Sequence, residues 1–260
     1  METVKLWQNT PGLTEETPVI EVYLPENKKS DAAVVIYPGG GYAKRAAHEG
    51  EGYAQFLNAH GITAFVVQYR VSPHTFPLPL LDARRGVRWV RQNAEKYGID
   101  KNKIAVMGSS AGGHLAAFTS TYTDPIDFED VEPIDECFLP NMQILCYPVI
   151  VAPAPDKVAH FGSYRNLLGG ESFINAYDYD PSLLVKESTP QAFIWHTAAD
   201  ASVNVINSYT YAAKLRQNGV PVEMHIFPDG PHGLGLAEKI PHTAQWSALL
   251  INRFKDLGWI

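Results

Sequence analysis

The stretch Gly108-Ser109-Ser110-Ala111-Gly112 holds a serine among small residues. An apolar, β-branched run at 103–107 precedes it, and a helical pattern through His114-Leu115-Ala116-Ala117-Phe118 follows. A sharp strand-to-helix turn of this kind lifts a hydroxyl clear of a sheet. Small flanking residues let the two arms pack closely, and the new helix aims free N–H groups and positive dipole at developing negative charge. Ser110 is therefore the candidate nucleophile, with Ser109 the nearest alternative.

A serine hydroxyl needs a base to take its proton. His232 stands in Pro228-Asp229-Gly230-Pro231-His232-Gly233, directly after an apolar run at 222–227, where turn-forming neighbours let its ring reach over strand ends. The chain has nine histidines. His225 falls inside the preceding run and His114 lies one turn into the nucleophile's helix, both positions suited to packing or local hydrogen bonds, while His242 opens the final helical pattern. The base in turn needs an acid to fix its tautomer and stabilise its cation. Asp200 ends His196-Thr197-Ala198-Ala199-Asp200 and completes the chain order serine, aspartate, histidine. Asp229 is nearer His232 in sequence, but loop residues so close together rarely point at one ring, so Asp200 is preferred.

A tetrahedral intermediate also needs N–H donors for its oxyanion. Tyr37-Pro38-Gly39-Gly40-Gly41-Tyr42 follows another buried run, and its glycines allow backbone amides to approach a ligand. A phosphate cradle is the competing use, but no Lys-Ser/Thr frame follows. The expected donors are the N–H groups of Gly40, Gly41 and Ala111. No metal constellation is visible: His48 and Glu49 are adjacent, and there is no H-E-x-x-H. No cofactor is expected.

Such residues must be positioned by a frame. Buried-strand candidates lie at 33–37, 63–69, 103–107, 142–147, 192–196 and 222–227, with an alternating strand at 19–24 suited to a sheet edge. Helical patterns occupy 51–59, 80–97, the segment opening at Ser110, 204–217 and 243–255. The alternation predicts an α/β fold with a mainly parallel central sheet of about eight strands and helices on both faces. The 260 residues suit one domain, 1–260. The stretches 123–140 and 149–190, rich in Asp, Pro, Gly and Tyr, are expected to be loop or partly helical insertions over one face of the sheet.

Apolar residues at 45% and charged residues at 19% describe an ordinary globular chain. A net charge of -7 without charge blocks argues against nucleic-acid or anionic-membrane partners. There is no run of about 18 apolar residues and no signal-peptide pattern, so no membrane span is expected. The two cysteines, Cys137 and Cys146, fit a reducing, cytoplasmic setting. Oligomeric state stays open, a homo-oligomer included.

The chain resembles the α/β-hydrolase superfamily over nearly its whole length. More narrowly, it resembles small bacterial esterases of the acetyl-xylan-esterase-like and feruloyl-esterase-like kind, related to the hormone-sensitive-lipase group. Tyr37-Pro38-Gly39-Gly40-Gly41-Tyr42 corresponds to the group's H-G-G-G oxyanion loop. Tyr69-Arg70-Val71-Ser72-Pro73 through Phe76-Pro77 to Asp82 is similar to its Y-R-L-A-P…F-P…D stretch, and Gly108 through Ala116 matches its serine elbow. The chain departs from the pattern in two places. Pro38 replaces the loop's usual histidine, and Asn204 stands where D-x-x-V-P has its proline.

The resemblance implies a serine carboxylic ester hydrolase acting through an acyl-enzyme on a small-molecule or oligosaccharide ester, with short acyl groups, acetyl above all, removed from carbohydrates such as xylo-oligosaccharides. An arylformamidase or peptidase-type amide hydrolase on the same triad is the alternative. A catalytically dead binding protein is the non-enzymatic one. Tyr42, Trp195, Tyr164 and Tyr177 are aromatics that could stack sugars or simply pack.

Overall fold

A computed structural model describes residues 2–12, 17–128, 131–153, 158–170 and 175–260. Its framework is an eight-stranded sheet: β1 (Glu2–Lys5), β2 (Val19–Tyr23), β3 (Ala33–Tyr37), β4 (Thr63–Gln68), β5 (Ile104–Ser109), β6 (Met142–Cys146), β7 (Gln191–Thr197) and β8 (Val222–Phe227). The spatial order is β1-β2-β4-β3-β5-β6-β7-β8. β1 and β2 run antiparallel to their neighbours, and every pairing from β4 to β8 is parallel. β3 and β5 to β7 are almost wholly buried, as their continuous Val, Ile and Ala runs require of strands covered on both faces.

Seven helices among the described residues accompany the sheet: α1 (Ala47–Ala59), α2 (Leu78–Gln92), α3 (Ala94–Tyr97), α4 (Ala111–Thr121), α5 (Phe161–Leu168), α6 (Ile206–Gln217) and α7 (Pro241–Asp256). The period-two alternation of the strands divides the core between two layers. Val35, Phe65 and Val67 pack with Val87 of α2, Leu115 of α4 and Tyr211 of α6. Val34, Ile36, Ala64 and Val66 face the other way, toward Tyr53 and Leu57 of α1 and Trp246 and Leu250 of α7. Trp195 of β7 stacks on Trp246 with ring centroids 4.7 Å apart. No helix among the described residues is long and apolar enough to cross a membrane.

Several boundaries differ from expectation for identifiable reasons. β2 is not an edge strand, because β1 pairs along its outer side; β1 is too exposed to carry an apolar pattern. The single helix expected over 80–97 is divided at Asn93, whose amide and side chain both donate to Trp89 O, at 3.0 and 2.8 Å. α1 starts a turn before the expected 51, through Gly50, which lies against Pro38 and Val66 where a side chain would be crowded. α6 starts at Ile206 rather than 204, where Asn204 Oδ1 accepts from the Ile206 amide in place of the family's proline. Within 149–190 the structure has α5 and two short 3-10 turns, Ala176–Tyr179 and Pro181–Leu183. The described part of 123–140 carries no helix or strand, and residues 129–130, 154–157 and 171–174 of these insertions lie outside the described residues.

A fully buried ion pair anchors the loop between β4 and α2. Asp82 Oδ2 accepts from the Arg70 amide at 2.9 Å and from Nε at 2.8 Å, while Oδ1 accepts from Nη2 at 2.7 Å and from Trp7 Nε1 at 3.0 Å. Arg70 Nη1 reaches Pro11 O at 2.6 Å. The two charges face each other and the Asp82 carboxylate accepts four hydrogen bonds, which is the condition under which burying such a pair is tolerable. The anchored loop backs the glycine-rich turn: Tyr69 donates through its hydroxyl to Pro38 O at 2.6 Å, and the Ser72 amide donates to Tyr42 O at 2.7 Å. Asp82→Ala, which strands the guanidinium, should lower unfolding free energy in urea by about 3–5 kcal/mol. The apolar double replacement Arg70→Met with Asp82→Leu should cost clearly less.

Candidate active site

Ser110 occupies the turn between β5 and α4 with φ 54° and ψ -119°, backbone space that non-glycine residues rarely enter. Its surroundings leave it no alternative. Its N–H donates to Cys146 O at 3.0 Å, and its carbonyl accepts from the amides of His114 and Val149, each at 3.0 Å. The glycines of the elbow are dictated by contact: a Cβ on Gly108 would lie 2.0 Å from Gly112 O, and one on Gly112 would lie 2.0 Å from Tyr37 O. Ser110 is 6% exposed, whereas Ser109 is fully buried with its hydroxyl 2.8 Å from that of Tyr53. Ser109 therefore has no route to a substrate.

His232 Nε2 lies 2.8 Å from Ser110 Oγ, and His232 Nδ1 lies 2.6 Å from Asp200 Oδ2. Because the carboxylate accepts, the proton of neutral His232 sits on Nδ1 and the lone pair of Nε2 faces the serine hydroxyl. Asp200 also accepts from the Ser202 and Val203 amides at 2.9 Å each, and Oδ2 is 3.2 Å from His196 Nε2. Burial alone would raise its pKa. The bonds from His196, His232 and the Val203 amide outweigh burial and hold the carboxyl well below its usual range.

The other candidates sit elsewhere. Asp229 contributes its backbone carbonyl to Thr243 and makes no contact with the ring. His225 pairs with Glu223 at 2.7 Å, and His242 packs edge-on to Phe227. His114 is buried between Tyr42 OH, 2.8 Å from Nδ1, and Tyr179 O, 2.9 Å from Nε2. It thus links the helix that follows Ser110 to the glycine-rich loop. Of the aromatics, Tyr42, Tyr164 and Trp195 are buried and unavailable for stacking, and only Tyr177 is exposed.

Gly40 and Gly41 hold φ 132° and 67°, and no acceptor among the described residues engages their N–H groups or that of Ala111. The loop is folded on itself, with the amides of Ala43 and Lys44 donating to Gly40 O. It is also tied from outside, since Asn166 of α5 donates to Gly41 O at 2.8 Å. The insertion carrying α5 therefore supports the loop. His160 caps α5, its Nδ1 accepting from the Ser163 amide at 3.2 Å. Burial first, then the proximity of His232, depresses its pKa. A cavity of about 410 Å³ opens beside His232, lined by His48, Gly52, Pro231, Leu234, Leu236 and Lys239 among others. No group of three or more potential metal ligands occurs among the described residues.

Sequence reasoning did not single out His196, Tyr147 or Asn166, and it weighed Glu49 only as a metal ligand beside His48. His196 ends a strand as any buried residue does, and its bond to Asp200 at i+4 depends on the turn that follows. Glu49 is 3% exposed, an acidic residue inside the core, and nothing in the local pattern separates it from a surface residue of α1.

Residues 20–143 match the family model described as BD-FAE, and residues 154–251 match that of the prolyl oligopeptidase family. An acetylxylan esterase of Xylanibacter ruminicola is 36% identical over 246 residues, spanning 90% of this chain and 47% of that protein. Endo-1,4-beta-xylanase B of Butyrivibrio fibrisolvens is 36% identical over 225 residues, 85% of this chain and 35% of its own. The chain thus spans less than half the length of these two curated relatives. The crystal structure of an acetyl ester-xyloside bifunctional hydrolase from Caldicellulosiruptor lactoaceticus superposes with a TM-score of 0.91 at 39% identity, covering 100% of this chain and 97% of that one. The chain belongs to the α/β-hydrolase superfamily, among its esterases.

The site generates a test of its electrostatics. Burial lowers the pKa of His114 to about 4. In the unfolded chain it titrates near 6.5, so between the two values the unfolded state binds more protons, and stability falls as pH falls. The contribution of His114 should be complete above about pH 6.5 and decline by about 3 kcal/mol on approach to pH 4. His160 acts in the same direction. Urea unfolding of His114→Gln across this range should show a visibly flatter pH dependence than wild type.

Proposed function

We propose that the chain is a serine ester hydrolase that removes short acyl groups, acetyl foremost, from the hydroxyls of xylan-type carbohydrates, through an acyl-enzyme. The observation that carries the chemistry is the unbroken chain of hydrogen bonds from Ser110 Oγ through His232 to Asp200, beside amides with no acceptor among the described residues. In this mechanism Ser110 Oγ attacks the acyl carbon while its proton passes to His232 Nε2. The imidazolium is stabilised by Asp200, which stays ionised because its folded-state pKa is held low. The N–H groups of Gly40, Gly41 and Ala111 take the charge that develops on the carbonyl oxygen. His232 then returns the proton to the departing sugar alkoxide. A water enters on the same path and attacks the acyl carbon while giving a proton to His232, which returns that proton to Ser110 Oγ as the acyl–oxygen bond breaks and the acid leaves.

The substrate class is proposed from the relatives, whose names combine acetyl-ester and xylan or xyloside chemistry. The unpaired cysteines, Cys137 exposed and Cys146 buried, support the cytoplasmic setting proposed alongside.

Ser110→Ala should retain less than about a hundredth of wild-type kcat on an acetyl aryl ester while melting like the wild type, as loss of a triad member normally costs more than that. The acyl side should be small: kcat/KM for acetyl over octanoyl aryl esters should exceed roughly a hundredfold, since a pocket shaped for two carbons rejects longer chains by clash. Equal turnover of the octanoyl ester would refute the short-acyl assignment. Release of formate from formylkynurenine much faster than acetate from acetylated xylo-oligosaccharides would move the assignment to arylformamidase chemistry.

A further inference from the structure

Glu49 and Tyr147 form a connection that the triad chemistry does not use. The Glu49 carboxylate lies in the first turn of α1, almost completely buried, with the exposed His48 ring 3.8 Å away. Each of its oxygens is committed to a different part of the site. Oε2 accepts from the Gly39 amide at 2.9 Å, at the entrance to the glycine-rich loop. Oε1 accepts from the Tyr147 hydroxyl at 2.7 Å. That hydroxyl in turn accepts from the Gly235 amide at 2.9 Å, three residues beyond His232. Tyr53 OH stands 3.3 Å from the same hydroxyl and 2.8 Å from Ser109 Oγ, directly before the nucleophile. Tyr147 itself is held at φ 38°, a conformation of the left-handed region, with its amide donating to Trp195 O at 2.7 Å and its ring edge-on to His232 at 5.1 Å.

We infer that Glu49, acting through Tyr147, is a positioning residue for catalysis: it locks the loop that presents Gly40 and Gly41 to the loop that presents His232. These loops follow β3 and β8, which lie four strands apart in the sheet order and share no ladder, so the sheet alone does not set their separation. Transition-state stabilisation depends on that separation, because the oxyanion donors and the base must meet one substrate at the same moment. A buried carboxylate is the acceptor suited to this task. It takes two donors at once in well-defined directions, and charge-assisted bonds are the stronger kind. The inference rests on the ester-hydrolase assignment for its kinetic consequence, but the connection can be read without any substrate.

Three variants test it. Glu49→Ala removes both acceptors. Glu49→Gln keeps an acceptor for Gly39 and offers its amide to the Tyr147 oxygen, whose own proton can turn to Tyr53. Tyr147→Phe keeps the ring against His232 and deletes only the hydroxyl. Glu49→Ala should lower kcat on an acetyl aryl ester by roughly a hundredfold with KM changed less than about threefold, as displacement of positioned groups by an ångström does. Tyr147→Phe should lower kcat roughly tenfold, and Glu49→Gln should recover to within roughly tenfold of wild type, the range seen when supporting hydrogen bonds are altered. Should Glu49→Ala fail to fold, Tyr147→Phe carries the same readout.

Hydrogen exchange supplies the substrate-free arm. The Gly39 and Gly235 amides should be protected in the wild type, with Gly235 losing protection in Tyr147→Phe and both losing it in Glu49→Ala. Folded Glu49→Ala or Tyr147→Phe protein with wild-type kcat, or a loss confined to KM, overturns the positioning role, and so does fast exchange of both amides in the wild type. Protected amides together with a wild-type protein inactive on every ester would instead overturn the hydrolase assignment and leave the connection standing.

Discussion

Ser110 sits in backbone space that costs an L residue about 1–3 kcal/mol, and it stays there because every neighbouring group is satisfied only when it does. The elbow is pinned by bonds to Cys146, His114 and Val149, so β5, β6 and α4 all hold the same residue. Glycines at 108 and 112 are needed because the strand and the helix leave the turn almost touching. Once the serine is fixed, the rest of the site has one reference point. The histidine and the glycine-rich loop must be delivered to it, and each arrives from a strand end on one side of β5.

Delivery is accomplished by polar groups that have been taken out of water and fully partnered. Asp200 spends two bonds on its own turn and the remainder on histidines, which fixes the carboxylate before it meets His232. Arg70 and Asp82 do the corresponding work for the loop behind Gly40 and Gly41, joining it to the N-terminal segment through Trp7 and Pro11. His114 and Asn166 add ties from α4 and α5. Each of these groups would be a liability if left unpaired in the interior. Together they make the loop geometry a property of the fold as a whole.

The parts of this arrangement that were legible in sequence are those with a local signature. The serine elbow needs small residues at fixed offsets, the parallel strands need continuous apolar runs, and the glycine-rich turn follows one such run. Asp200 and His232 could be placed because each follows a recognisable strand. What was not legible depends on distance in three dimensions. β1 carries too little apolar character to announce itself and is a strand only because β2 offers it a partner. The helix divides at Asn93 although the apolar pattern runs unbroken from Leu80 to Tyr97. Glu49 and Tyr147 lie 98 residues apart, and neither has neighbours in sequence that reveal a shared hydrogen bond. Asn166 lies in a stretch whose composition suggested a loop or partly helical insertion, but nothing in it marked a residue that reaches the glycine loop.

The outer strands of the sheet have a consequence of another kind. An open sheet ends in two borders whose N–H and C=O groups can recruit a strand from any passing chain. Here both borders carry charge. β1 is a short strand with Glu2 and Lys5 exposed, and Glu2 is paired with Lys96. β8 bears Glu223 and His225, paired with each other, and Arg253 of α7 approaches Glu223. Two molecules cannot zip border to border without dehydrating these side chains. Edge-to-edge association at high concentration therefore has to strip water from a few ionic groups far from Ser110, and salt, which screens those groups, weakens that barrier.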